Sequence, residues 1–229
     1  MRILAIDTAL PAVSVCVLDS DAQRPVARNS LAIEKGHAEA LMPLVSQTMA
    51  EVEGGFASID RVAVTVGPGS FTGIRIGIAA ARGIALALGA DVVGVSTLAA
   101  FAAPLLSEDS EGIVAAAIDA RHGQVFFTAY GVAGRILTSP RALGLRDACR
   151  LLGAGRVRAV GSGAQLLRDE AFSYGGDITV VDPSPAPEIV SVARLGLVAD
   201  PANAPARPIY LKAPDVKPGV RSALPHAAP

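Results

Sequence analysis

Residues 66–77 read VGPGSFTGIRIG. An apolar run, IDRVAVTV at 59–66, leads into this stretch, and a run rich in Ile, Ala and Leu carries on to about Leu88. Such a pattern makes a strand, a sharp glycine-proline turn and a helix, the unit of an α/β protein. The turn is not a P-loop. That motif needs G-x-x-x-x-G-K-[ST], because its Lys reaches the terminal phosphates and its hydroxyl binds magnesium. Here Gly69 and Gly73 are too close together, and Arg75-Ile76 stands where Lys-Ser belongs. The dinucleotide fingerprint G-x-G-x-x-G fails as well, since the glycines fall as G-x-G-x-x-x-G. Two roles stay open: a tight connection with no ligand, or an anion cradle formed by backbone N–H groups at a helix start.

The helix after the turn is unusual. Gly73, Gly77 and Ala81 recur every four residues, and Thr72, Ile76, Ala80, Gly83 and Ala87 follow a neighbouring stripe. Glycine inside a helix costs up to ~1 kcal/mol relative to alanine. Glycines at 73, 77 and 83 therefore call for a compensating contact. Close approach of another helix supplies one, and that helix belongs either to the same chain or to a second subunit.

Upstream, RILAIDT (2–8) is a buried strand with polar groups at its end, AVSVCVL (12–18) is a second strand, and a third lies within 25–33. The short turns favour an antiparallel meander. Residues 36–53 switch to helical period, with Leu41, Val45, Thr48 and Val52 on one face and Pro43 near the start, where proline is least costly. Downstream, DVVGV (91–95) is a strand and 97–106 a helix.

After residue 111 the pattern begins again. AIDTALPAVSVCV (5–17) aligns with AIDARHGQVFFTA (117–129), setting Asp7 on Asp119, Val13 on Val125 and Val15 on Phe127. AVTVGPGS (63–70) aligns with VRAVGSGA (157–164), setting Gly67 and Gly69 on Gly161 and Gly163. Both matches keep chain order, as a duplicated domain requires. The second copy has no long first helix, and residues 131–150 read as a loop and one helix. A proline-rich stretch follows from Pro183, with an apolar helix at 188–199 inside it. After Lys212 the chain is Pro, Ala and charge, the composition of a disordered end.

Composition sets the limits. The chain has 229 residues, 51% hydrophobic and 18% charged, enough for a large core and too apolar for disorder. Its net charge of −1 gives no overall basic field to attract nucleic acid or membrane. The two cysteines, Cys16 and Cys149, lack ligand spacing and read as free thiols of a reducing cytosol. Residues 76–95 are apolar, but Arg82 and Asp91 interrupt them, against a membrane span. Catalytic groups are sparse. His37, His122 and His226 form no H-x-x-x-H or H-E-x-x-H pair, and Ser70 lies outside any G-x-S-x-G elbow. Asp7 and Asp119 end strands, where a carboxylate either caps a turn or holds the water of a magnesium ion.

Six segments together resemble the bacterial TsaB (YeaZ) family: AIDTA at 5–9, HAEALMP at 37–43, VGPGSFTGIRIG at 66–77, GVSTLAAFA at 94–102, IDARHGQVFF at 118–127 and PIYLK at 208–212. The resemblance spans about residues 1–212 and implies an α/β fold of the actin-like ATPase, ribonuclease H-like kind. Two duplicated subdomains, each a mixed sheet flanked by helices, would cover 1–106 and, in reduced form, 107–212, with 213–229 a disordered tail. It implies a non-catalytic, cytoplasmic scaffold in the machinery that makes N6-threonylcarbamoyladenosine at position 37 of tRNAs reading codons that begin with A. The partners implied are the catalytic paralogue TsaD and the ATPase TsaE, with tRNA met only through the complex, a homodimer when alone, and no membrane. TsaD binds its metal with an H-x-x-x-H pair. Here the pattern is His37-Ala38-Glu39-Ala40-Leu41, so the second His is missing. No metal site and no catalytic residue is expected, and no cofactor bound tightly by this chain alone. ATP and Mg2+ would serve the assembled complex, with a weak nucleotide contact at Asp7, Thr8, Gly67 and Gly69. Partner contacts implied on the first two helices, about 36–53 and 70–88, are His37, Glu39, Leu41, Val45, Thr72, Gly73, Ile76, Gly77, Ala80 and Gly83. The alternative is an actin-like ATPase or phosphotransferase active on its own through Asp7 and the Gly67–Gly69 loop.

Overall fold

The computed structural model describes residues 1–106, 112–153, 155–173 and 175–212, so the expected disordered tail at 213–229 lies outside the described residues. The first lobe opens with β1 (Arg2–Asp7), β2 (Ala12–Asp19) and β3 (Ala27–Ala32), then α1 (His37–Ala50), β4 (Arg61–Gly67), α2 (Phe71–Leu88), β5 (Asp91–Ser96) and α3 (Thr97–Leu106). The second lobe runs β6 (Ile113–Asp119), β7 (Gln124–Tyr130), β8 (Ile136–Gly144), α4 (Leu145–Leu152), β9 (Val157–Val160), α5 (Ala164–Phe172), β10 (Ile178–Asp182) and α6 (Ile189–Val198).

The sheets share one topology. The first is ordered β3-β2-β1-β4-β5 and the second β8-β7-β6-β9-β10, so each strand of one lobe has its counterpart in the other. In both, the first three strands form an antiparallel meander and the last two add in parallel, each across a helix. A parallel neighbour needs such a crossover, whereas an antiparallel one needs only a turn. The sequence repeat is therefore a fold repeat. Its registers differ by one residue: Asp7 faces Ser14 across the first hairpin, while Asp119 faces Val125 across the second. The second hairpin is tighter because Arg121, His122 and Gly123 all take left-handed backbone conformations (φ 63°, 53° and 71°).

β2 is buried along nearly its whole length, which explains its continuous apolar run. Helix α1 covers it on one side and α6 on the other. The last helices cross between lobes: α6 packs on β1, β2 and β4 of the first sheet, and α3 packs on β6 of the second. Gly196 makes the approach of α6 possible, since a Cβ there would lie 2.5 Å from the Ala63 methyl. Arg61 fixes the end of α6 by donating to the carbonyls of Gly196, Leu197 and Ala199 at 3.1, 3.3 and 2.9 Å. Past α6 the chain returns to the first sheet, where Gly94 N donates to Ala204 O and Ile209 N to Val66 O, both at 2.8 Å.

Two elements depart from expectation. Residues 131–150 hold a full strand, β8, before α4, and ITVVD at 178–182 is a fifth strand. Pro140 and the exposed, polar-rich faces of these two outermost strands hid the alternation that marks a strand. Helix α2, at 18 residues, is long and apolar enough to cross a bilayer, but Gly73, Ile74, Gly77, Ile78, Ala81 and Ala85 are buried against the first lobe.

Candidate functional site

The glycine block closes β4 onto α2 by fitting against the strand end of β1. Gly67 has φ +106°, where a side chain is strained, and a Cβ there would also come within 2.7 Å of the Ile209 carbonyl. Gly69 sits on the Ala9 carbonyl, to which Ser70 N donates at 2.7 Å. Ser70 then caps α2 by accepting from Gly73 N at 3.3 Å. One turn on, Gly73 rests on the Thr8 carbonyl and Gly77 on the Thr8 hydroxyl, and that hydroxyl donates to Gly73 O at 2.7 Å. Gly73 and Gly77 thus admit this chain's own β1, not another subunit.

Leu41 and Val45, expected at a partner surface, are 1% and 0% exposed and belong to the core on the buried face of α1. His37 is also buried, its Nε2 donating to the Leu10 carbonyl at 3.0 Å, while Glu39 is exposed. What α2 leaves outside is the second stripe. Thr72, Gly83 and Ala87 are exposed and Ile76 and Ala80 half-buried. Nothing lies within 4 Å of where a Gly83 Cβ would be. With Leu86 at 85% and Met42 of α1 at 46% exposure, α1 and α2 present an uncovered apolar surface of small side chains.

A cleft of about 650 Å³ separates the lobes, with Gly69, Ser70 and His37 on one wall and Asp119, Arg121 and Ser162 on the other. The proposed nucleotide contacts are placed unequally around it. Gly69 lines the cleft, Gly67 is covered by the Ile209 backbone, and Asp7 and Thr8 are fully buried behind it. Asp7 Oδ1 accepts from Ala9 N at 2.9 Å and from the Thr65 hydroxyl at 2.5 Å, while Oδ2 has no partner among the described residues. Desolvation pushes its pKa above the ordinary carboxylate value, against the opposing pull of those hydrogen bonds. Its counterpart Asp119 is exposed and accepts from Arg121 N at 2.7 Å. The two strand-end carboxylates that align in sequence thus sit in different environments, one buried and one exposed. No group of three or more potential metal ligands occurs among the described residues.

The family described as TsaD, tRNA N6-adenosine threonylcarbamoyltransferase, matches residues 31–154, more than half of the chain. The tRNA threonylcarbamoyladenosine biosynthesis protein TsaB of Escherichia coli is 38% identical over 130 residues, 57% of this chain and 55% of that protein. YeaZ from Pseudomonas aeruginosa, a solved structure, aligns over 92% of this chain and 99% of its own at a TM-score of 0.72 and 29% identity. The chain belongs to the TsaB (YeaZ) family. It spans about half the length of the curated TsaB proteins it matches, 55% of the E. coli protein and 53% of the Haemophilus influenzae one. An uncharacterized protein of Mycobacterium bovis is 30% identical over 94% of both chains. The TsaB fold therefore extends through both lobes, although the stronger sequence match covers little more than half of the chain.

Sequence reasoning missed one cluster. Phe71 and Tyr210 stack with centroids 4.6 Å apart, and Arg75 lies 3.7 Å over Phe71 while its Nε donates to the Tyr210 hydroxyl at 2.8 Å. The i, i+4 spacing of Phe71 and Arg75 was a visible signal. Tyr210 is remote in sequence, and only the return of the chain past α6 brings it there.

Proposed function

We propose that this chain is a non-catalytic, cytosolic scaffold of the assembly that installs N6-threonylcarbamoyladenosine at position 37 of tRNAs reading codons that begin with A, and that it supports a TsaD-like catalytic paralogue. The observation that carries this reading is the outer face of α1 and α2, where Thr72, Gly83 and Ala87 are exposed, Ile76 and Ala80 half-buried, and no described residue lies over Gly83. Small side chains let a partner's helices approach closely and bury apolar area at little cost in side-chain entropy. Membership in the TsaB family supplies the pathway. The occupied ring of His37 and the core position of Leu41 speak against a TsaD-like metal pair on α1. Without its paralogue, the same face would pair two copies of this chain. TsaE would dock on the assembled pair, and tRNA, ATP and Mg2+ would be engaged by the assembly.

Reconstitution tests this. Threonylcarbamoyl adenylate, tRNA and the TsaD paralogue of the same genome are combined with and without this chain. The modified nucleoside is expected only when the chain is present. Equal product in its absence contradicts the scaffold role.

A further inference from the structure

Helix α2 has a third flank, distinct from the buried one and from the small-residue one. Phe71, Arg75 and Arg82 follow i, i+4 and i+11 spacing along it, and both arginines are exposed. Between Asp60 and Asp91 the chain carries Arg61, Arg75 and Arg82 and no carboxylate, and residues 201–212 carry Arg207 and Lys212 and none. Arg61 is taken up by Asp91 and the end of α6, so the cations left on this side of the sequence are Arg75 and Arg82 on α2 and Arg207 and Lys212 on the returning segment. Neither Arg75 nor Arg82 has a carboxylate partner among the described residues. Arg75 is held in place all the same, its Nε on the Tyr210 hydroxyl and its plane over Phe71. Tyr210, stacked on Phe71, stays 42% exposed, and Ile209 beside it 41%.

An aromatic stack fixed beside unpaired guanidinium groups suits a nucleobase flanked by phosphates. Bases stack on such rings in a sequence-tolerant way, and arginine meets phosphate oxygens with a planar fork. We propose that this arginine flank, with the Phe71–Tyr210 stack, is a contact surface for single-stranded or looped RNA: the rings meet a base, and Arg75 and Arg82, two helical turns apart, meet backbone phosphates. The preference for RNA over an acidic protein rests on the proposed role above together with the exposed aromatic. The surface lies off the small-residue flank, so RNA and a protein partner would be held at once.

Fluorescence anisotropy with a labelled RNA stem-loop tests the inference on the full chain, alone and mixed with its TsaD paralogue. Binding should weaken with salt at a log–log slope of about −0.7 per phosphate contacted. Tyr210→Ala should weaken it by roughly 10-fold, within the range measured for base stacking on aromatics. Because Tyr210→Ala also frees the C-terminal segment, Arg82→Glu is the second variant: Arg82 makes no hydrogen bond or ion pair among the described residues, so the variant's melting temperature should stay that of the wild type while RNA affinity falls by about 10-fold. RNA binding unchanged in Arg82→Glu, or absent from the wild type in both settings, overturns the inference. Displacement of the RNA by polyglutamate as readily as by unlabelled RNA also overturns it and assigns the surface to an acidic protein. Pairing with the paralogue is scored separately by light scattering, so loss of pairing with RNA binding kept counts against the scaffold role and leaves this inference standing.

Discussion

The Thr8 hydroxyl donates to the carbonyl of Gly73, and Gly77, one turn further along α2, rests on the same hydroxyl. This contact welds the strand end of β1 to the helix that follows the glycine block. It divides the small residues of α2 into two sets, one spent inside the chain and one left outside.

Substitution within the inner set should cost stability. Gly77→Ala sets a methyl onto the Thr8 oxygen inside a packed core, an overpacking change of ~1–3 kcal/mol. Thr8→Val removes the hydroxyl and should cost ~1 kcal/mol. Urea unfolding checks both. Gly83→Ala, with open space around it, should instead be neutral or stabilising by up to ~1 kcal/mol.

Asp7 should make stability pH-dependent. Its carboxyl is fully buried with one oxygen unpartnered, and desolvation raises its folded-state value above the unfolded one. The folded state therefore holds the proton more tightly than the unfolded chain does. The stability this gives is complete below the unfolded value and is lost as pH rises through the folded one. Asp7→Asn should flatten the change in urea midpoint between pH ~5 and pH ~8. A wild type equally stable at both values would contradict the desolvated carboxyl.

The thiols should differ in reactivity. Cys16 is buried and its thiol is pushed up to about 12, first by desolvation, whereas Cys149 is only partly covered. The thiolate is the reactive form. A thiol reagent at neutral pH should label Cys149 slowly and Cys16 only after unfolding, as mass spectrometry of the native and denatured chain would report.

Nucleotide binding by the isolated chain should be weak. Asp7 and Thr8 lie behind the cleft wall and Gly67 under the Ile209 backbone, which leaves Gly69 alone of the four on the cleft. Calorimetry with ATP and magnesium should give no saturable heat. A strong signal would favour the ATPase alternative.

Much of the fold was legible in the chain itself. The paired segments around Asp7 and Asp119, and around Gly67 and Gly161, announced the duplication because strand ends and positive-φ glycines leave local marks. β8 and β10 were not legible, since outermost strands with exposed polar faces lose their alternation. The candidate surface was half legible. Helical period found the stripes on α2 but could not say which one faced inward, because Gly73 and Gly77 are buried by a strand end sixty-odd residues earlier. Leu41 and Val45 were assigned outward when their apolar period in fact marked the core.

The outer face of α2 is best probed by light scattering of this chain mixed with its genome's TsaD paralogue, comparing the wild type with Ala80→Glu and Gly83→Glu. The interface assignment predicts a stable one-to-one pair for the wild type and loss of that pair in both variants, each keeping the far-UV circular dichroism of the wild type. Variants that pair as well as the wild type would contradict it.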